Sequence, residues 1–241
     1  MRRMLAGIAY LSAQDAASEA RLVGLGLPVD RVGPRVNLKA GVAGQGLVPT
    51  RSARVVLAAS THAGEEGIIL DAFVEARAAG VCDLLILAPR HPARGAALAR
   101  MLTGRGLAFG QRSRGDAVPA EGIYLADTVG EMAQWYAMAG VTVIGGSFAD
   151  KGGHTPFEPA AHGSAIVHGP QVANFAEPFA ALDAAGGAVA VADGAALAVA
   201  LCGMDAARQA VLADAARGAL AAGGDVAGVL EAIRQHARGA N

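Results

Sequence analysis

From Arg54 onward, short apolar runs recur between stretches of helical periodicity, and this alternation restricts the fold more than any other feature of the chain. The runs are Val55-Val56-Leu57-Ala58-Ala59, Leu84-Leu85-Ile86-Leu87, Gly122-Ile123-Tyr124-Leu125, Val141-Thr142-Val143-Ile144, Ala165-Ile166-Val167 and Ala188-Val189-Ala190-Val191. They are apolar throughout rather than at every second residue, which is the pattern of strands buried on both faces. Helices are predicted over Glu65 to Ala79, Ala93 to Arg105 and Gly130 to Met138. Strands joined by helical crossovers make a parallel sheet, and right-handed crossovers cover both of its faces. The chain is therefore read as an α/β protein with a doubly wound, Rossmann-like sheet.

Residues 1–46 do not fit this unit. Met1 to Gly24 reads as a helix or a strand and helix, Val36-Asn37-Leu38-Lys39 as a short strand, and Gly41 to Gly46 as a glycine-rich linker. The expected division is the end of one domain plus a linker over 1–46, and a complete domain over 47–241. The tail from Asp205 to Ala237 is expected to form two helices broken at Gly223-Gly224. Hydrophobic residues make up 53% of the chain and aromatic ones only 4%, so alanine-rich helices can pack closely on the sheet but no base-stacking surface is available. With a formal net charge of −1 and scattered basic residues, nucleic acid is not an expected partner. Cys82 and Cys202 are read as reduced core thiols. The apolar run from Leu5 to Ala13 passes directly into a polar helical pattern and is not read as a signal peptide. None of the apolar stretches reaches the roughly 18 uncharged residues of a membrane-spanning helix. The best of them, Gly186 to Met204, is broken by Asp193.

In an open parallel sheet, ligands bind beyond the carboxyl ends of the strands. The polar residues concentrate there. Ser60-Thr61-His62-Ala63-Gly64-Glu65-Glu66 follows the first strand. Ser60 or Thr61 can cap the next helix, with the two glutamates in its first turn, or the hydroxyls and free amides can face a substrate anion. Pro89-Arg90-His91-Pro92 follows the second, fixing an arginine suited to phosphate or carboxylate. Asp127-Thr128-Val129-Gly130-Glu131 follows the third, where Thr128 can cap the next helix. Gly145-Gly146-Ser147 and then Lys151-Gly152-Gly153-His154-Thr155-Pro156-Phe157-Glu158 follow the fourth. Glycines allow close backbone approach, Pro156 suits a first helical turn, and Glu158 can accept hydrogen bonds from ribose hydroxyls. The spacings of His62, His91, His154 and His162 match no zinc signature, so no metal site is assigned.

These loops, in this order, resemble those of the 3-deoxy-D-manno-octulosonic acid (Kdo) transferases of lipopolysaccharide synthesis. The stretches that carry the resemblance are Ala58 to Glu66, Leu87 to Pro92, Asp127 to Glu131, Gly145 to Ser147, Gly152 to His154, Gly169-Pro170 and Asn174 to Glu177. Ala13-Gln14, Leu25-Gly26 and Asn37-Leu38-Lys39 extend it through the first 40 residues.

The resemblance implies half of a two-domain GT-B glycosyltransferase. Such an enzyme moves Kdo from CMP-Kdo to a lipid A precursor at the cytoplasmic face of the inner membrane, without a metal or other cofactor. It places Pro89 and Arg90, Val129, Gly130 and Glu131, and Thr155, Pro156, Phe157 and Glu158 around CMP. It makes Lys39 a stabiliser of transition-state charge. Ser60, Thr61, His62, Gly152, Gly153 and His154 are further candidates for the donor site. The chain departs from the family in carrying Thr155 where the family has asparagine, which trades an amide for one hydroxyl. The family's acceptor domain, with its glutamate general base, corresponds to sequence ahead of Met1, so membrane contact is expected through that domain or a partner. Two alternatives stand beside this reading. One is a non-catalytic CMP-binding module that partners a full-length transferase. The other is a different GT-B enzyme using a uridine nucleotide sugar.

Overall fold

A computed structural model describes residues 2–36, 51–220 and 226–238. Lys39, the Gly41 to Gly46 linker, most of the strand expected over Val36 to Lys39 and the break at Gly223-Gly224 lie outside the described residues. Contacts divide the chain into two units, 1–42 with 221–241, and 43–220.

In the first unit, helix α1 (Arg2–Leu5) precedes helix α2 (Ala16–Gly24). The Asp15 side chain caps α2 by accepting the Ser18 N–H at 2.6 Å, which satisfies one of the helix's free donors. Between and after the helices the chain is irregular, with Leu11 and Val32 forming a single parallel bridge. Arg31 holds this segment by donating to the carbonyls of Ala6 and Ile8 at 2.6 and 2.7 Å.

The second unit is built on seven parallel strands. In chain order its elements are β1 (Ser52–Thr61), α3 (Glu65–Ala78), β2 (Leu84–Pro89), α4 (Gly95–Gly104), β3 (Phe109–Gln111), β4 (Gly122–Leu125) and α5 (Met132–Met138). There follow β5 (Ala139–Ile144), α6 (Phe157–Ala161), β6 (Ala165–His168), α7 (Ala176–Ala185), β7 (Ala188–Ala190), α8 (Gly194–Cys202) and α9 (Ala206–Leu220). The strand order is β3-β4-β2-β1-β5-β6-β7. Val56 pairs with Leu85 on one side and Val141 on the other.

Alternate residues of the central strands enter different cores. Val56, Ala58, Leu85, Leu87, Val141 and Val143 pack with Ile69, Phe73, Leu98, Leu102, Leu197 and Leu201 from α3, α4 and α8. Val55, Leu57, Ala59, Leu84, Ile86 and Tyr124 pack with Trp135 and Tyr136 from α5. Both faces are covered, as a doubly wound sheet requires.

All six predicted strands are present, and the seventh, β3, is a finding. Phe109-Gly110-Gln111 has no apolar run to announce it, and its pairing with β4 makes it a strand. The helix expected from Gly130 starts at Met132, because Gly130 has φ 85° and cannot belong to it. The helix expected from Ala93 starts at Gly95, after a 3-10 turn over Pro92–Arg94. The last helix, α10 (Val226–Arg238), groups with the first unit, where His236 lies 5.3 Å from the Tyr10 ring. A cut near residue 46 would instead keep α10 with the sheet.

Among the described residues, no single helix is long and apolar enough to cross a membrane. Helices α8 and α9 reach that length and composition only together, bent by 110° at their junction.

Candidate functional site

Four of the candidate stretches begin where a parallel strand ends, and the fifth, from Lys151, continues the loop after β5, so they share one edge of the sheet. From β1 the chain passes to β2 on one side, and from α5 it crosses back to β5 on the other. That reversal opens a crevice beyond β1 and β5.

The end of β1 is irregular. Its register with β2 shifts between Ala59 and Thr61, and Ser60 adopts φ 60°, the one described non-glycine residue with a left-handed backbone. Gly145 lies against this bulge. Its N–H donates to the Ala59 carbonyl at 2.8 Å, and a Cβ there would stand 2.4 Å from the Ser60 carbonyl oxygen. The Thr61 hydroxyl is buried without a hydrogen-bond partner among the described residues. Of the two readings open for Ser60 and Thr61, capping of α3 does not occur. The N-cap is Gly64 at φ 98°, with no side-chain cap.

The two glutamates of the first turn are buried rather than solvated. The Glu65 carboxylate accepts three backbone N–H groups, from His62 and Gly146 at 2.8 Å and from Phe148 at 2.9 Å. It therefore fastens the β1 loop to the β5 loop. Glu66 pairs with Arg94, which also donates to the Thr61 carbonyl at 3.4 Å and so fastens the β2 loop to the same place. Sequence reading found these glutamates as favourable first-turn residues. The Glu65 bonds reach some 80 positions away, to the loop after β5, and the Glu66 pair reaches Arg94, distances at which local pattern carries no signal.

Gly152 and Gly153 both have φ 72°. A Cβ on Gly152 would press on the Asn174 amide at 2.8 Å, and one on Gly153 would press on the Gln171 carbonyl at 2.7 Å. Asn174 holds the turn, donating its amide to the carbonyls of Lys151 and Gly153 at 2.7 and 3.3 Å. Ser147 ties the same loop to the end of β6, accepting the Gly169 N–H at 2.8 Å. The turn carries His154 to His62, with their Nε2 atoms 2.8 Å apart, and the His91 ring stands edge-on to His62 at 5.9 Å. Burial keeps His62 below its ordinary pKa, helped by His91, Lys151 and Arg94 and opposed by the Glu65 charge. His162 is not with them. It lies against Tyr136, and its carbonyl accepts from Arg51, which precedes β1. Among the described residues, no three His, Cys, Asp or Glu side chains are arranged to hold a metal ion.

Pro89 is buried at the end of β2 and Arg90 is exposed beside it. Its backbone N–H is bonded to the Thr61 carbonyl at 3.0 Å, and its guanidinium makes no ion pair among the described residues. Beyond β4, Asp127 is committed to the turn after β3, accepting from Gln111 Nε2 at 2.6 Å and from the Ser113 N–H at 2.9 Å. Burial works to raise its pKa, but these hydrogen bonds prevail and hold it low.

Thr128, which could have capped α5, does not; its hydroxyl donates to the Glu131 carboxylate. Arg112 meets the same carboxylate, through Nη2 at 2.6 Å and Nε at 3.0 Å. The Arg112 guanidinium first, and then Thr128, hold the Glu131 carboxyl below its ordinary range. Val129 projects into solvent at 80% exposure, and Gly130 turns the chain at φ 85°. Arg112 follows a strand that sequence reading missed, so its place beside Glu131 was equally hidden.

Thr155 is buried, its hydroxyl accepting the Phe157 N–H at 3.3 Å. Pro156 is the N-cap of the five-residue α6 rather than part of its first turn, Phe157 is buried, and Glu158 is half-buried in α6. The Tyr136 hydroxyl is pushed far above its usual range by burial, with the Glu158 charge adding to it, so α5 and α6 bring the Glu131 and Glu158 loops onto neighbouring helices. A separate open groove of about 810 Å³, lined by Phe73, Arg77, Phe109, Pro119 and Glu121, lies where β3 and β4 start, at the opposite end of the sheet.

The sequence is 36% identical over 207 residues to a 3-deoxy-D-manno-octulosonic acid transferase of Bordetella pertussis, covering 80% of this chain and 48% of that protein. It is 32% identical over 191 residues to the Haemophilus influenzae enzyme of the same name, covering 74% of this chain and 44% of the other. The chain thus spans about half the length of the curated relatives it matches. No protein-family model matches it.

Among solved structures, the C-terminal CMP-Kdo binding domain of WaaA from Acinetobacter baumannii superposes with a TM-score of 0.63 at 30% identity, over 72% of this chain and 91% of that domain. TarM from S. aureus, solved with UDP, shares the fold alone, with a TM-score of 0.59 at 7% identity over 95% of this chain and 43% of TarM.

Proposed function

Since the chain belongs to the 3-deoxy-D-manno-octulosonic acid transferase family, we propose that its sheet unit binds CMP-Kdo along the edge described above. In this reading it serves as the donor half of a Kdo glycosyltransferase. The observation that carries the reading is the match over 91% of a CMP-Kdo binding domain, in a chain whose candidate stretches all stand at one edge of the sheet.

Arg90, exposed and without an ion pair among the described residues, meets the phosphate beside Pro89. The backbone of Val129 and Gly130 and the carboxylate of Glu131 line the ribose and base, and Thr155 to Glu158 close the third side. Ser60, Thr61 and His62 with Gly152, Gly153 and His154 surround the sugar. Lys39 is assigned to charge developing on the departing phosphate. The acceptor in this reading is a lipid A precursor at the cytoplasmic face of the inner membrane. In this reading the general base and the membrane contact belong to the acceptor half of the family's architecture.

Calorimetric titration with CMP and, in parallel, UDP tests the proposal. Binding of CMP in preference to UDP is expected, with Arg90→Ala causing the largest loss of any single change. Preference for UDP, or no heat with millimolar CMP, would overturn it.

A further inference from the structure

Histidines from three loops converge at the crevice beyond β1, β2 and β5. The Nε2 atoms of His62 and His154 are 2.8 Å apart, their rings lie within 5° of parallel, and the centroids are 5.1 Å apart. Rings stacked face to face cannot have centroids so distant and edge nitrogens so close. The two imidazoles are joined edge to edge through one hydrogen bond.

Such a bond contains one proton, donated by one Nε2 and accepted by the other. The neutral pair can take a second proton at a Nδ1 and keep the bond, so it titrates as a unit and becomes a cation spread over two rings.

The charges facing this pair come from every loop around it. His91 stands edge-on at 5.9 Å, and Lys151 and Arg94 add positive potential. The nearby anions are already satisfied, Glu65 by three backbone N–H groups and Glu66 by Arg94. Burial first, and then His91, Lys151 and Arg94, keep His62 below its ordinary range against the opposing Glu65 charge.

We propose that the His62–His154 pair, with His91 at its edge, is the subsite for the carboxylate of the transferred sugar acid and takes up a proton as that carboxylate enters. This rests on the CMP-Kdo reading above. In CMP-Kdo the carboxylate and the phosphate sit on one carbon, so two anions need separate partners. Arg90 serves the phosphate, and the imidazole pair serves the carboxylate. Because burial disfavours the charged form of His62 when nothing is bound, the pair gives little attraction to nucleotides that lack the acid group, and selectivity for the sugar acid follows.

The test compares CMP-Kdo with the methyl ester of CMP, a phosphodiester of the same nucleotide without the sugar acid. Calorimetry of the full chain in two buffers of different ionisation enthalpy measures protons taken up on binding. Uptake of a fraction of one proton at about pH 7.5 is expected with CMP-Kdo and none with the methyl ester, since a neutral imidazole of ordinary pKa about 6.5 must be raised through that range. CMP-Kdo should also bind about tenfold more tightly than the ester near pH 6, with the advantage shrinking toward pH 8, the size expected for one charge-assisted contact. His62→Gln and His154→Gln should remove the advantage of CMP-Kdo over the ester and the proton uptake.

Equal proton uptake with both ligands, or none with CMP-Kdo, overturns the proposal in the unaltered protein, whether or not the variants fold. So does a full CMP-Kdo advantage in both variants. If the methyl ester binds in these cases, the nucleotide reading stands and only the carboxylate subsite fails. If neither ligand binds, both fail.

Discussion

Glu65 has left water entirely and keeps its charge company with three backbone N–H groups from two loops. Removing the carboxylate strands three donors at once, one buried and two half-buried. At about 1–3 kcal/mol for each unsatisfied group, Glu65→Ala is expected to lose at least about 3 kcal/mol of stability in urea unfolding. Glu65→Gln should recover only part, because its amide turns a donor toward a donor.

Glu131 offers a second test at this scale. Its carboxyl is depressed by Arg112 and then Thr128, so its contribution is complete above the ordinary glutamate pKa and is lost as pH falls through the lowered value. Arg112→Ala should return the Glu131 titration toward about 4.3, moving that loss to higher pH. A carboxyl NMR titration reads the shift directly. An unmoved Glu131 would mean that Arg112 does not set its charge.

Among the elements, the loops after β1, β5 and β6 behave as one piece because each is fastened to the next by backbone hydrogen bonds. Gly145→Ala drives a Cβ to 2.4 Å from the Ser60 carbonyl, a backbone atom that cannot swing aside. It is expected to destabilise the chain by more than about 2 kcal/mol in thermal or urea unfolding, the usual scale of overpacking and strain. Asn174→Ala leaves the strands untouched but frees the turn at Lys151 to Gly153. Its expected mark is weaker CMP binding, by about tenfold, with a stability change near 1 kcal/mol, as for loss of a hydrogen bond or two.

The six apolar strands, the crossover helices and the stretches at the sheet edge were all legible, because period and glycine position are local properties of sequence. What stayed hidden was whatever depends on pairing across the fold. The strand Phe109–Gln111 exists through β4, Arg112 reaches Glu131 only because that strand is there, and His62 meets His154 across 92 positions. Which residues cap the helices stayed open for a related reason. Thr128 has its hydroxyl taken by Glu131, and Gly64 rather than a hydroxyl residue begins α3.

At the scale of the molecule, the sheet unit carries its own two cores, each assembled from within residues 43–220. A chain of residues 43–220 expressed alone is therefore expected to unfold in one cooperative transition and to bind CMP within about threefold of the full chain, as a domain with its own core should. Loss of cooperativity in that fragment would show that residues 1–42 or 221–241 complete its core.

Both outer strands of the sheet are only three residues long, Phe109–Gln111 at one side and Ala188–Ala190 at the other. Long exposed strand edges recruit other chains and seed fibres. Here the seven-stranded sheet tapers at each margin to a stub with few free backbone groups, so the long, strongly apolar strands that make the fold are the ones sealed furthest from any neighbour. Among the described residues the sheet therefore presents no long strand edge on which another chain could pair.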